Sequence, residues 1–328
     1  MAELTQVQRY LIEEFAEDYQ SGELERREML RRVVLITGSI TAAATVLTTL
    51  GCTPSASPTT AAPAVPPVPT GQAVAPVRPV ATATPVVGPD ATVAANDPAV
   101  QARDVTLTGP AGTIFGYLAR PAETGSYPGM IVISDNQGLD AVCEENTRRI
   151  AKLGFIALAP DLTSRAGGTK ALADRARIAA AFGQTPADDL TADLIAGVAY
   201  LKNQPGVLAS KIGVFGFCVG GNFSYRLAVA SPDIVAATPF YGPPPPLDQV
   251  PNLRGTVWAV YAGNDARVNA SIPDLDAAMK SAGKNFSYEV FPDTAHGFHR
   301  STDNPVHMAQ AKLAWQKMVD FMTKQLKA

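Results

Sequence analysis

Beyond residue 102 the chain alternates two kinds of apolar pattern. Residues 104–108 and 113–120 alternate apolar and polar positions on either side of Gly109-Pro110-Ala111-Gly112, which predicts a strand pair. Residues 129–134 and 155–159 are continuous apolar runs, as in parallel strands covered on both faces. Further strands are predicted at 211–217, 234–240, 256–261 and 286–291. Helical periodicity fills the intervals at 140–153, 170–182, 188–202, 272–282 and 306–326. Strands alternating with helices over residues 102–328 predict one α/β domain, a mostly parallel doubly wound sheet with helices on both faces. No internal repeat interrupts it.

The first hundred residues follow another pattern. Residues 1–32 are polar and helix-prone, with Glu13, Glu14, Glu17 and Asp18 giving way to Arg26, Arg27, Arg31 and Arg32. Residues 33–50 carry no charge, and as one helix they would measure roughly 27 Å, enough for a hydrocarbon layer. A basic cluster followed by an apolar run has the order of an export signal or signal anchor. Glu25-Arg26-Arg27-Glu28-Met29-Leu30-Arg31 is similar to a twin-arginine signal, with Glu25 where Ser or Thr is usual. Thr49-Leu50-Gly51-Cys52 is similar to a lipoprotein processing site, with Thr49 where leucine is usual, so that lipidation at Cys52 stands beside an uncleaved anchor and ordinary cleavage as the expected fates. The expectation is a cytoplasmic-side segment over 1–32 and a membrane or signal segment over 33–52. Residues 53–101 form a Pro/Ala/Thr-rich linker too poor in large apolar groups to offset its ordering entropy. The domain is then exported and held at a membrane, and it is expected to fold without residues 1–98.

Composition narrows the chemistry. A net charge of −3, with no basic stretch after Pro98, gives no electrostatic ground for nucleic acid. Cys52, Cys143 and Cys218 are too few and too dispersed for a disulfide framework. Cys143, on a predicted helix, reads as packing. Cys218 stands in Gly216-Phe217-Cys218-Val219-Gly220-Gly221, between a strand and a helix-like run. This is the nucleophile elbow in its G-x-C-x-G form, a tight turn in which larger neighbours would collide. A buried structural cysteine is the plainer alternative.

In such a sheet, functional groups gather at the carboxyl ends of the strands. Asp265 follows one strand end and His296 the next, in the order nucleophile, acid, histidine. Asp265 could instead cap a helix or hold a turn. His296, His299 and His307 could hold zinc, but no cysteine or carboxylate stands at matching spacing, so no metal is expected.

These motifs, with Ala159-Pro160-Asp161-Leu162, Phe240-Tyr241-Gly242, Gly263-Asn264-Asp265 and His296-Gly297-Phe298, resemble the dienelactone hydrolase family over residues 102–328. The resemblance implies an α/β-hydrolase with Cys218 as nucleophile, His296 as base and Asp265 as its orienting acid. It implies an oxyanion hole from the backbone N–H groups of Val219 and Asn136, no cofactor, and small ester or lactone substrates opened through a thioester. Asp135 stands where the family has a glutamate beside the thiol, so it is expected to assist thiol activation despite its shorter reach. Arg300 and Tyr241 are expected to bind substrate, with Arg175 or Arg177 as a second arginine. The expected molecule is a monomer tethered to the membrane through its N-terminal segment. The rival readings are a catalytically weak or inactive binding or scaffold module on the same fold and, without a nearby resolving cysteine, a thiol redox protein.

Overall fold

The computed structural model describes residues 4–49 and 92–327. The hairpin of β1 (Val100–Gly109) and β2 (Gly112–Pro121) turns with Thr108 opposite Thr113. Strand β2 continues antiparallel onto β4 (Ile156–Pro160). From there β3 (Tyr127–Ile133), β5 (Val207–Phe217), β6 (Ile234–Phe240), β7 (Thr256–Ala262) and β8 (Phe286–Phe291) follow in parallel. The sheet order is β1-β2-β4-β3-β5-β6-β7-β8. The apolar runs explain the middle: β4 is buried at every position, whereas the edge strand β8 is buried only at Phe291. Sheet growth reverses between β3 and β5, and the crevice beyond their carboxyl ends is where such sheets place ligands.

Helices cover both faces. Beside Gly129, whose Cα stands opposite Ile212, lies Leu201 of α7 (Ala187–Lys202). The next residue, Gly213, faces the other way onto Met322 and Leu326 of α11 (Pro305–Leu326). Alongside α7 runs α8 (Val219–Ala230), while α4 (Ala141–Lys152) meets α11 through Arg149, stacked 3.8 Å above the Trp315 ring.

The N-terminal stretch expected to stand apart is packed on this domain. Helix α1 (Gln6–Ser21) begins at a capping box of Thr5 and Gln8 and ends at Gly22, φ 84°. It buries Val7, Tyr10, Leu11, Glu14 and Phe15, the i, i+3, i+4, i+7, i+8 stripe of an amphipathic helix. Helix α2 (Arg26–Thr37) lies against α6 (Arg175–Gln184), with Ile36 close over Gly183. Polar ties reinforce the contact: Arg226 Nη2 donates to Gln6 Oε1 (2.9 Å), Arg267 Nε to Glu17 (2.9 Å), and Arg31 pairs with Asp174 (2.9 Å). The single span expected over residues 33–50 is broken. Gly38, φ 71°, ends α2, and α3 (Ile40–Thr49) leaves at 113° to it. Among the described residues no single helix is long and apolar enough to cross a membrane; the bent pair passes that test only when joined. Cys52 and residues 53–91 of the expected linker lie outside the described residues. The last part of that linker belongs to the domain: Val93 is buried, its N–H donating to Glu145 and its carbonyl accepting from Arg148.

Candidate active site

Cys218 occupies the turn between β5 and α8 with φ 58°, a left-handed backbone that a non-glycine residue adopts only when its surroundings enforce it. The enforcing contacts are backbone. A Cβ on Gly216 would lie 2.5 Å from the Gly220 carbonyl oxygen, and one on Gly220 would lie 2.3 Å from that of Ser134. The two glycines therefore let β5, β3 and α8 close on each other. The Cys218 N–H is held by the Phe240 carbonyl at 3.0 Å. The Val219 N–H, the first of α8, bonds to the Cys218 side chain and favours its charged form.

Asp265 ends the turn after β7 and does two jobs at once. Its Oδ1 caps α9 (Ala266–Asn269) by accepting from the Val268 N–H at 3.1 Å, and its Oδ2 lies 2.5 Å from His296 Nδ1. The carboxylate thus caps a helix, α9 and not the expected one beginning near Ile272, and bonds the histidine at the same time. Burial works against the charge of each partner, and their contact outweighs it: His296 is raised above its ordinary pKa and Asp265 lowered below its own. The carboxylate also leaves Nε2 as the ring atom that faces the thiol.

Between Nε2 and the sulfur stands a side chain from α1. The Tyr10 hydroxyl lies 3.2 Å from His296 Nε2 and 3.4 Å from Cys218 Sγ. Glu14, one turn on, places Oε2 at 3.3 Å and Oε1 at 3.4 Å from Sγ. Its Oε1 also accepts from Asn136 Nδ2 at 2.7 Å. Burial, then the charges of Glu14 and Asp135, push the Cys218 thiol well above its usual range. Burial likewise raises Glu14. Arg267, stacked 4.5 Å over the Tyr10 ring, supplies compensating positive charge.

Asp135 is turned elsewhere. Both of its oxygens take hydrogen bonds from Arg300, whose Nη1 reaches Asp140 at 3.1 Å. The contact expected of Asp135 with the thiol is made by Glu14 instead. Arg300 lines the cavity, but two carboxylates already hold it. Tyr241, expected to touch substrate, is fully buried: its hydroxyl meets His299 Nδ1 and its ring packs edge-on to His296 at 4.9 Å. It supports the histidines from behind. Arg175 lines the cavity, while Arg177 does not.

The three histidines do not converge. His299 stacks on Phe217, centroids 4.0 Å apart, and burial followed by Arg300 lowers it to about 3. His307 Nε2 accepts from the Ala295 N–H. Ligand atoms of Glu14, Cys218 and His296 do lie within 4.8 Å of one another. The Tyr10 hydroxyl sits between two of them, so the group has the spacing of a hydrogen-bonded proton network. The cavity over these residues has a volume of about 280 Å³. Its walls combine the elbow and the loops after β3 and β8 with α1, α2 and α6. Glu14, Tyr10 and Arg267 were missed in the sequence. An acidic run ahead of paired arginines reads as a leader, and only the helix stripe marked one face of it for burial.

The sequence profile of the dienelactone hydrolase family matches residues 114–326. A protein of Methylorubrum extorquens named "Putative carboxymethylenebutenolidase" is 30% identical over 264 residues, which cover 77% of this chain and 88% of that protein. A Synechocystis protein of the same name is 30% identical, with 65% and 93% covered. Among solved structures, the Klebsiella pneumoniae "Putative Dienelactone Hydrolase" superposes with a TM-score of 0.63 at 24% identity, over 69% of this chain and 99% of that one. An esterase of Pyrobaculum calidifontis superposes with a TM-score of 0.52 at 13% identity, over 68% and 85%. These superpositions bear on the fold, which is that of the α/β-hydrolases.

Proposed function

Since the chain belongs to the dienelactone hydrolase family, we propose that it hydrolyses small carboxylic esters or lactones through a thioester on Cys218. One observation carries the reading. A cysteine held in a left-handed elbow, at the head of a helix, faces a histidine whose far nitrogen is bound to a buried aspartate 2.5 Å away. In the reaction, the Cys218 sulfur attacks the acyl carbon, and negative charge develops on the carbonyl oxygen. The Val219 N–H and the Asn136 backbone N–H are the donors for that oxygen. Collapse breaks the C–O bond, the leaving oxygen takes up the proton that the thiol gave to a neighbouring base, and the thioester remains. His296 Nε2 then takes a proton from water, which attacks the same carbon, and Asp265 stabilises the imidazolium. The thiolate leaves, and the proton on His296 returns to it by way of the Tyr10 hydroxyl, 3.2 Å from Nε2 and 3.4 Å from Sγ. A cavity of about 280 Å³ lies at the small end of ligand sites and suits a short acyl group.

The test is intact-mass detection of an acyl adduct on Cys218 after exposure to p-nitrophenyl acetate and a panel of lactones, alongside turnover. Cys218→Ala should abolish both while changing stability by no more than about 1–2 kcal/mol, since a small side chain replaces a small one. Retention of more than about a tenth of the turnover would remove Cys218 from the reaction.

A further inference from the structure

We infer that Glu14, on the N-terminal helix and outside the part of the chain that matches the family, is a catalytic residue: its carboxylate is the first acceptor of the Cys218 proton. The inference rests on the thioester reading above, and four observations carry it. Both oxygens of Glu14 lie within 3.4 Å of the sulfur, whereas His296 Nε2 is separated from the sulfur by the Tyr10 hydroxyl. Asn136 Nδ2 anchors the carboxylate by a 2.7 Å hydrogen bond, which leaves it aimed at the thiol. Asp135, the other carboxylate nearby, is bound by Arg300 through both oxygens. Finally, Glu14 and Cys218 line the same cavity of about 280 Å³ with α1 in place, so the helix forms a wall of the site and leaves room for substrate.

A buried carboxylate is costly unless it is paired or hydrogen-bonded. The groups that face Glu14 are Cys218 at the head of α8, His296 after β8, Arg267 on α9, Asp135 after β3, and Tyr10 and Asp18 on α1 itself. Burial raises Glu14, which makes it a stronger base than an exposed carboxylate, while the Tyr10 hydroxyl, donating to Sγ and lying 3.2 Å from His296 Nε2, stands between that nitrogen and the thiol. The proton passes from Sγ to Oε, leaving a thiolate beside a neutral carboxylic acid, with no net change of charge. The thiolate adds to the acyl carbon. As the C–O bond to the leaving alcohol breaks, its electron pair takes the proton back from Glu14, and the carboxylate is restored. Deacylation then uses His296, so the two half-reactions have different proton carriers.

The full chain is the material for the test. Alkylation of Cys218 by iodoacetamide and the p-nitrophenol burst are each measured against pH for the natural protein, Glu14→Gln and Glu14→Asp, with decay of the preformed acetyl-enzyme as a third readout. In the natural protein the alkylation and burst rates should be level between about pH 7 and 9, because the base is internal. In Glu14→Gln both should climb about tenfold per pH unit and fall at least about a hundredfold at pH 7, with acetyl-enzyme decay unchanged within about threefold. Glu14→Asp, one methylene shorter, should keep the level profile at about a tenth of the rate. A level profile in Glu14→Gln, or a lowered rate with unchanged pH slope, would overturn the assignment. Should Glu14→Gln fail to fold, natural-protein rates in Glu14→Asp would overturn it and a lowered plateau would sustain it. A natural protein that forms no adduct with any ester defeats the hydrolase reading instead, and the alkylation profiles still decide whether Glu14 is the thiol's base.

Discussion

Leu11→Ala tests whether the N-terminal helices are part of the folded domain. Leu11 is fully buried on α1, does not line the cavity, and belongs to the same stripe as Tyr10 and Glu14. The substitution removes about three carbons, roughly 2.4 kcal/mol of transfer free energy at about 0.8 kcal/mol each. The space left behind adds to this, and about 3 kcal/mol in all falls within the measured range for buried leucines. That is more than a hundredfold in an equilibrium constant. If α1, α2 and the domain unfold together, urea denaturation should show the whole loss. If the helices detach first, the global transition stays, amide exchange in α6 accelerates, and ester turnover falls with the attached fraction. Natural values for global stability, α6 exchange and turnover together would refute the packing described here. On the same grounds, removing residues 1–98 should expose the buried face of α6 and yield a less soluble, weakly active protein, against the expectation drawn from composition.

Asp265→Asn should lower turnover by about 10³-fold or more, since the amide no longer selects the His296 tautomer. Asp265 raises the His296 pKa, and the base acts only when deprotonated, so the acid limb of the natural kcat profile should lie above pH 6.5 and move to lower pH in the variant. For stability the sign is the usual one for a raised histidine: its contribution is full below about pH 6.5 and is lost as pH rises through the folded value, which titration of Tm against pH will show. Gly220→Ala should lose at least about 4 kcal/mol or fail to fold, because the new Cβ meets two carbonyl oxygens of the β3 end at 2.3 and 2.7 Å; a soluble variant with natural Tm would contradict the elbow geometry.

The sheet and the turn that holds Cys218 were legible in the chain because both are local statements. Continuous apolar runs such as residues 129–134 must be covered on two faces, and a cysteine between Gly216 and Gly220 requires a turn that only small neighbours allow. Strand ends marked Asp265 and His296 for the same reason, and the structure joins them at 2.5 Å. What the carboxylates and arginines do was beyond such reading. Asp135 was matched by position to a thiol partner, yet the neighbouring positive charge of Arg300, 165 residues away, takes its oxygens. Tyr241, behind the cavity wall, pairs with His299 for a similar reason: buried polar groups must satisfy one another wherever the fold brings them. The N-terminal segment shows the limit most plainly. Charge followed by apolarity describes a leader and a docked amphipathic helix equally well, and the deciding quantity is whether a complementary apolar face exists elsewhere. Helix α6 supplies that face for α2, and the loops at the sheet's switch point receive Tyr10 and Glu14. Such complementarity is a property of surfaces that meet only in the folded chain, so tertiary structure alone decided that the residues at 10 and 14 stand beside the sulfur at 218.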